Sequence, residues 1–170
     1  MAQPSDFLAI ATIAGGTGLG AAIDLWTRRV PNPLTMGLAA AGVAYAVFGI
    51  GGLSIGASLA GLALGLALML PGHLIGATGA GDVKLFAAAG ALIGPVHILS
   101  AFIYTALVGG GIAVVVSLVR RRLRHTVGST ARLIATAGAN APAIESPLEH
   151  NRFAYAPAIA VGTMLAALGF

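Results

Sequence analysis

Apolar residues occur along this chain in long, nearly unbroken runs, with neither strict alternation nor a single apolar helix face. A helix of about 20 apolar residues crosses the hydrocarbon core of a bilayer. The pattern therefore predicts an all-α, polytopic integral membrane protein with about six transmembrane helices. Their predicted ranges are 7–26, 34–50, 53–70, 83–93, 96–119 and 153–170.

Glycine and proline mark the predicted helix ends. Val30-Pro31-Asn32-Pro33 ends the first helix, because a residue before proline is disfavoured in helical geometry. Gly51-Gly52 joins the second helix to the third, and residues 71–81 are predicted to form a glycine-rich loop. The run 83–119 is too long for one helix, so Gly94-Pro95 is predicted to divide it into a short fourth helix and a fifth.

The composition supports a membrane protein: 58% of the residues are hydrophobic and 8% are charged. A length of 170 residues predicts a single domain, residues 1–170. The absence of cysteine excludes disulfides, thiolate nucleophiles and Cys-containing zinc sites. No metal or other cofactor is predicted, because the histidines lack metal-ligand spacing; they are His73, His97, His125 and His150.

The basic residues flank the apolar runs. A net charge of +4 is typical of nucleic-acid binding in a soluble protein, but lysine and arginine beside membrane helices follow the positive-inside rule. In the six-helix arrangement, Arg28, Arg29, Lys84 and the six arginines of residues 120–152 fall on one side. We therefore expect a basic cytoplasmic loop at 120–152 and both termini on the non-cytoplasmic side, with lipid as a partner and no nucleic acid.

Two carboxylates interrupt the apolar part of the chain. Asp24 lies in the last turn of the first predicted helix, and Asp82 lies at the start of the fourth, so both reach the same depth on the cytoplasmic side. An ionisable group in a membrane segment is costly and indicates function. Two adjacent carboxyl groups share a proton, so one can activate water while the other polarises a carbonyl. Peptide hydrolysis is the chemistry that this pair favours.

Simpler interpretations of both aspartates remain open at this point. Asp82 after Gly79-Ala80-Gly81 also suits an ordinary helix start, and Asp24 is spaced to pair with Arg28 four residues later. Lys84 can neutralise Asp82. A proton-coupled transporter or a non-enzymatic membrane subunit of a pilus or secretion system also accommodates the composition. A transporter predicts inverted repeats with interrupted helices, which the sequence does not display.

Two separated motifs resemble those of the type IV prepilin peptidases, membrane aspartic proteases of the Gly-x-Gly-Asp kind. They are Asp24 with Arg28-Arg29-Val30-Pro31-Asn32, and Gly79-Ala80-Gly81-Asp82-Val83-Lys84-Leu85. The segment Ala156-Pro157 is similar to a late proline-containing segment of that family. The resemblance implies that Asp24 and Asp82 are catalytic and that Gly79 and Gly81 shape the site.

The resemblance also implies a reaction and a place for it. The substrate is a prepilin or pseudopilin, whose short basic leader is removed at the cytoplasmic face of the bacterial inner membrane. Longer members of the family carry Cys-x-x-Cys pairs and methylate the new pilin N-terminus. This chain has no cysteine, so the resemblance is to the short, peptidase-only members that process Flp or tight-adherence pilins.

The basic and amide residues near the aspartates have several open roles. Lys84, Arg28 and Asn32 are candidates for positioning the substrate or for tuning the acidity of the aspartates. Lys84 also suits a side chain that extends to the lipid headgroups. Arg29 is expected to anchor the helix end at the headgroups.

Overall fold

The computed structural model describes residues 4–119 and 155–169, and these residues form helices and turns with no strand among them. The prediction of an all-α protein is confirmed. The helices are α1 (Pro4–Thr27), α2 (Asn32–Val47), α3 (Ile55–Leu74), α4 (Ala80–Val119) and α5 (Ala156–Ala167), with a short 3-10 turn at Ile50–Gly52. The predicted basic loop at 120–152 lies outside the described residues.

Three helical stretches are long and apolar enough to cross a membrane: Phe7–Thr27, Ile55–Leu74 and Ala80–Val116. Helix α5 is apolar but shorter, and α2 has only 16 residues against the about 20 that a perpendicular span needs. The structure thus has the helices of a membrane protein. Six spans, and the side on which the termini lie, stay predictions.

Helix α4 is divided at Gly94, as Gly94-Pro95 predicts. Gly94 has φ 77° and ψ 177°, a conformation that is essentially restricted to glycine. Pro95 follows directly and has no N–H to continue the helical hydrogen bonds. Two helical segments result, which we call α4a (residues 80–93) and α4b (residues 95–119).

Segment α4a is the centre of the fold. From Leu85 to Ile93 every residue is buried, which is expected of a helix that is apolar on all sides. Helices α3 and α5 make the most extensive contacts with α4, and α2 also packs on it. Asp82 therefore starts a helix whose position is determined by packing on several sides.

Small residues let the neighbouring backbones approach α4a closely. The backbones of Gly61 in α3 and Gly90 in α4a are in direct contact, leaving no room for a side chain on either. In α2, a Cβ on Gly42 would lie 2.8 Å from the carbonyl carbon of Ala91. Ser58 in α3 donates a hydrogen bond of 2.8 Å to the Ala91 carbonyl. Close approach of this kind is typical of helix packing in membranes.

The predicted end of the third helix is wrong by about one turn. Helix α3 continues through Pro71 to Leu74 instead of ending at residue 70. A proline removes one backbone donor, and here the carbonyls of the last turn are used: Ile75 N–H donates to Pro71 O (3.2 Å), and Ala77 N–H donates to Gly72 O (2.8 Å). The loop predicted at 71–81 therefore shrinks to residues 75–79.

The fourth and sixth helices also differ at their ends. Helix α4 begins at Ala80, three residues before the predicted start at Val83, so Asp82 lies in its first turn. Helix α5 occupies Ala156–Ala167 within the predicted 153–170, with Pro157 near its start, where proline is tolerated. The hydrophobic pattern does not specify these ends, because capping and loop contacts determine them.

Candidate catalytic site

Asp24 lies in the last turn of α1 and is buried, with 7% of its surface exposed. Its carboxylate accepts a hydrogen bond from the backbone N–H of Ala156, the first residue of α5. The positive charge of Arg28 also acts on it. Atom Oδ2 is buried and accepts no hydrogen bond from the described part of the chain. The Asp24 carboxylate is thus hydrogen-bonded to Ala156, while its Oδ2 has no partner among the described residues.

Asp82 also accepts a hydrogen bond from a backbone N–H, here from the residue directly before its own helix. It is the third residue of α4, it is also 7% exposed, and its Oδ2 accepts a hydrogen bond of 3.3 Å from the backbone N–H of Gly79. This bond from the residue before the helix is one half of a capping box. Atom Oδ1 is buried and has no hydrogen-bond partner in residues 4–119 and 155–169.

Two packing contacts bring the segments with the aspartates together. Leu85, one turn after Asp82, packs on Gly20, one turn before Asp24: a Cβ on Gly20 would lie 3.0 Å from Leu85 Cδ2. Val30 packs on Gly81, where a Cβ would lie 3.0 Å from Val30 Cβ. The two carboxylates are close enough for the charge of Asp24 to act on Asp82.

The simpler interpretations of the aspartates describe part of what the structure contains. Asp82 does cap its helix, and Arg28 does act electrostatically on Asp24. Arg28 is exposed and lies in the left-handed region at φ 55°, and its N–H donates to the Asp24 carbonyl (2.8 Å), so it ends α1. Within residues 4–119 and 155–169, one buried oxygen on each carboxylate has no hydrogen-bond partner.

The side chains of Lys84 and Asn32, whose roles the sequence left open, are hydrogen-bonded to each other. Lys84 Nζ donates a hydrogen bond of 2.9 Å to Asn32 Oδ1, and both side chains are exposed. Asn32 is the first residue of α2, and Lys84 lies in α4a two residues after Asp82. Gly79 and Gly81, predicted to shape the site, contact Asp82 and Val30 respectively.

Sequence reasoning missed the contribution of α5 to this site. Besides the Ala156 N–H, the half-buried Tyr155 lies near enough to Asp82 to sense its charge. Burial, and then the Asp82 carboxylate, raise the pKa of the Tyr155 phenol. Its ring rests on Gly109 of α4b, where a Cβ would lie 2.7 Å from Cε2. The available signal was a tyrosine placed directly before the last apolar run.

No cluster of three or more metal-ligating side chains occurs among the described residues. The two described histidines lie against nearby carbonyls: His73 Nδ1 is 3.0 Å from Thr78 O, and His97 Nδ1 is 3.1 Å from Ile93 O. Among the described residues, the candidate site contains two carboxylates, backbone donors, the charge of Arg28 and a tyrosine.

The sequence around this site matches a known protein family. A model described as the type IV leader peptidase family matches residues 11–114. That stretch contains both aspartates and ends before α5. Comparison with curated proteins and with solved structures finds no match.

Proposed function

Because the chain belongs to the type IV leader peptidase family, we propose that it is an aspartic endopeptidase in which Asp24 and Asp82 act together on one peptide bond. The observation that carries this proposal is the pair of buried carboxylates from two different helices. Each has one oxygen without a partner in the described residues. Burying a polar atom without a hydrogen-bond partner is costly, so the retention of two such carboxylates indicates a function.

The two aspartates divide the acid and base roles. The helix N-terminus at Ala156 and the charge of Arg28 favour negative charge on Asp24. The charge of Asp24 disfavours a second charge on Asp82 beside it. We therefore assign the shared proton of the pair to Asp82 and the role of base to Asp24.

The reaction then proceeds in two steps. Asp24 takes a proton from water as the water oxygen bonds to the scissile carbonyl carbon, and Asp82 gives its proton to the carbonyl oxygen. In the second step the C–N bond breaks as Asp24 passes its proton to the leaving amine. The new carboxyl group returns a proton to Asp82. The sum is the addition of one water across one peptide bond, and the pair is restored.

The proposed substrate is a prepilin or pseudopilin, and the proposed position of the cut is the cytoplasmic end of the helices. Arg28, Arg29 and Lys84 all lie at the end of the bundle that carries the aspartates, which the positive-inside rule assigns to the cytoplasm. A short basic leader lies on that face when the apolar helix of a prepilin is in the bilayer. We also propose that the protein lies in the bacterial inner membrane, that it crosses the membrane six times, and that both termini lie on the non-cytoplasmic side.

Small Flp or tight-adherence pilins are the proposed substrate class. The chain has no cysteine, and the family resemblance ties methylation to members that carry Cys-x-x-Cys pairs. We therefore propose the peptidase activity alone, without methylation of the pilin.

The test is co-expression with a prepilin that has glycine at the leader junction. Cleavage is read by the mass of the product. Wild type is expected to remove the leader, and Asp24→Asn and Asp82→Asn are expected to reduce the rate by at least about 10²-fold. Asn keeps the shape of Asp but cannot exchange the proton. Asp6→Asn, at the far end of α1, is the matched control and should cleave like wild type.

Two results would contradict the proposal. Wild-type rates in both membrane-inserted Asn variants would show that the carboxylates are structural only. Absence of cleavage by wild type across a panel of prepilin leaders would exclude the proposed substrate class. Equal amounts of each variant in the membrane fraction are required for both comparisons.

A further inference from the structure

We infer that Lys84 and Asn32 are a positioning pair that holds the turn after α1 against the first turns of α4 and so sets the separation of the two aspartates. The inference rests on the proposed function for its effect on catalysis. The hydrogen bond itself is a feature of the fold: Lys84 Nζ donates to Asn32 Oδ1 at 2.9 Å, across 52 positions of sequence.

Each partner is close in sequence to one of the aspartates. Lys84 follows Asp82 by two residues on the same helical segment. Asn32 begins α2, directly after the turn that joins it to the helix end carrying Asp24. A bond between these two side chains therefore links the two aspartate-bearing segments outside the buried site.

The turn between α1 and α2 contacts α4 on two sides. Arg28 adopts a left-handed conformation at φ 55°, which is unfavourable for a residue with a Cβ and persists where surrounding contacts maintain it. On its inner side the turn rests on α4 through Val30, packed against Gly81. On its outer side, Asn32 is hydrogen-bonded to Lys84 of α4a. The two contacts together restrict the turn from both sides.

The pairing of Lys84 with a neutral amide indicates that the two residues position the backbone segments that carry them. Asn32 is neutral, so its bond to Lys84 neither cancels the lysine charge nor adds charge near the aspartates. A lysine that only reached for lipid headgroups would need no protein acceptor. The bond uses one of the three ammonium donors of Lys84, and the effect on KM decides whether the other two contact substrate. The pair therefore acts on catalysis through the position of Asp24 and Asp82.

Four substitutions separate this role from a charge or substrate-binding role. Lys84→Met keeps an unbranched side chain one atom shorter but removes the donor, and Asn32→Leu removes the acceptor. Lys84→Arg and Asn32→Asp keep a donor and an acceptor. Arg29→Met, on the same turn, removes an exposed cation and serves as the matched control.

The expected kinetic result is a loss in turnover at saturating prepilin. Lys84→Met and Asn32→Leu should each lower kcat by about tenfold with KM changed by less than about twofold. The double variant should be no slower than either single variant, because one bond is lost in all three. Lys84→Arg, Asn32→Asp and Arg29→Met should stay near wild type.

A measurement of distance tests the pair without any substrate. The chain has no cysteine, so Met36→Cys in α2 and Ala80→Cys in α4, both at exposed positions, accept spin labels selectively. Lys84→Met and Asn32→Leu should broaden the distance distribution measured by pulsed EPR, and Arg29→Met should not.

Three outcomes would overturn the inference: unchanged kcat in Lys84→Met and Asn32→Leu, a raised KM at unchanged kcat, or an unchanged distance distribution. The second would instead show that Lys84 contacts the substrate. If wild type cleaves no prepilin, the proposed function fails, and the distance measurement still decides whether the pair holds the turn.

Discussion

The backbone N–H of Ala156 in α5 donates a hydrogen bond to the carboxylate of Asp24 in α1. Three helices therefore build the candidate site, since Asp82 comes from α4. Ala156 lies beyond residues 11–114, where the family model matches. The last helix is thus part of the structural support of the carboxylate pair.

The contact with Ala156 makes the position of the Asp24 carboxylate specific, and Asp24→Glu tests this. Glutamate keeps the acid but moves it by one methylene away from the Ala156 N–H. Misplacing a reacting group by about 1 Å can cost about 10²-fold, so we expect kcat to fall by about that factor. Product mass against time gives the rate. Turnover close to wild type would show that the site tolerates a displaced carboxylate and that the Ala156 contact does not determine activity.

Tyr155 is expected to donate a hydrogen bond from its phenol in the site. Burial and the Asp82 carboxylate raise the pKa of Tyr155, so the phenol keeps its proton at neutral pH and loses it only above the ordinary value of about 10. Tyr155→Phe should therefore lower kcat by about tenfold, the value of one hydrogen bond. The ratio of wild-type to variant rates should stay constant from about pH 6 to 9, because the phenol does not titrate there.

A second tyrosine provides the control for Tyr155→Phe. Tyr45 in α2 shares a hydrogen bond of 2.8 Å with Thr12 in α1, three turns before Asp24. Tyr45→Phe loses the same hydroxyl group at a distance from the site and should keep its turnover. Equal losses in both variants would mean that the effect of Tyr155→Phe is on helix packing. A ratio that changes below pH 9 would show that the phenol titrates, contrary to the prediction.

Gly61→Ala is expected to destabilise the protein. A Cβ on Gly61 would collide with the carbonyl of Gly90, and α4a, packed on several sides, cannot move away without disturbing other contacts. Overpacking of this kind costs about 1–3 kcal/mol. Thermal unfolding of the purified protein in detergent measures the change in midpoint.

The matched control for Gly61→Ala is Gly110→Ala in α4b, where nothing lies within 4 Å of an added Cβ. Alanine is favoured over glycine in a helix by about 1 kcal/mol, so this variant should be as stable as wild type or slightly more so. A lower midpoint for Gly110→Ala than for Gly61→Ala would contradict the close backbone packing of α3 on α4a.

Much of the fold follows from local properties of the chain. The apolar runs predict helices because a membrane helix must satisfy its backbone hydrogen bonds internally. The break at Gly94-Pro95 is confirmed, since φ 77° suits glycine and proline has no donor. The end of α3 was misplaced because the last turn after Pro71 depends on hydrogen bonds to the following loop.

By itself, the sequence determined the helical class, the break in α4 and the choice of Asp24 and Asp82 as candidates, because charges in apolar runs are rare and costly. Only the tertiary structure decided which residues lie around Asp24 and Asp82. Ala156, Tyr155 and the bond from Lys84 to Asn32 come from positions far apart in the chain. Their meeting depends on how α1, α2 and α5 pack on α4, through contacts such as that of Leu85 with Gly20. No local pattern encodes such a contact, because it forms only when the helices have assembled.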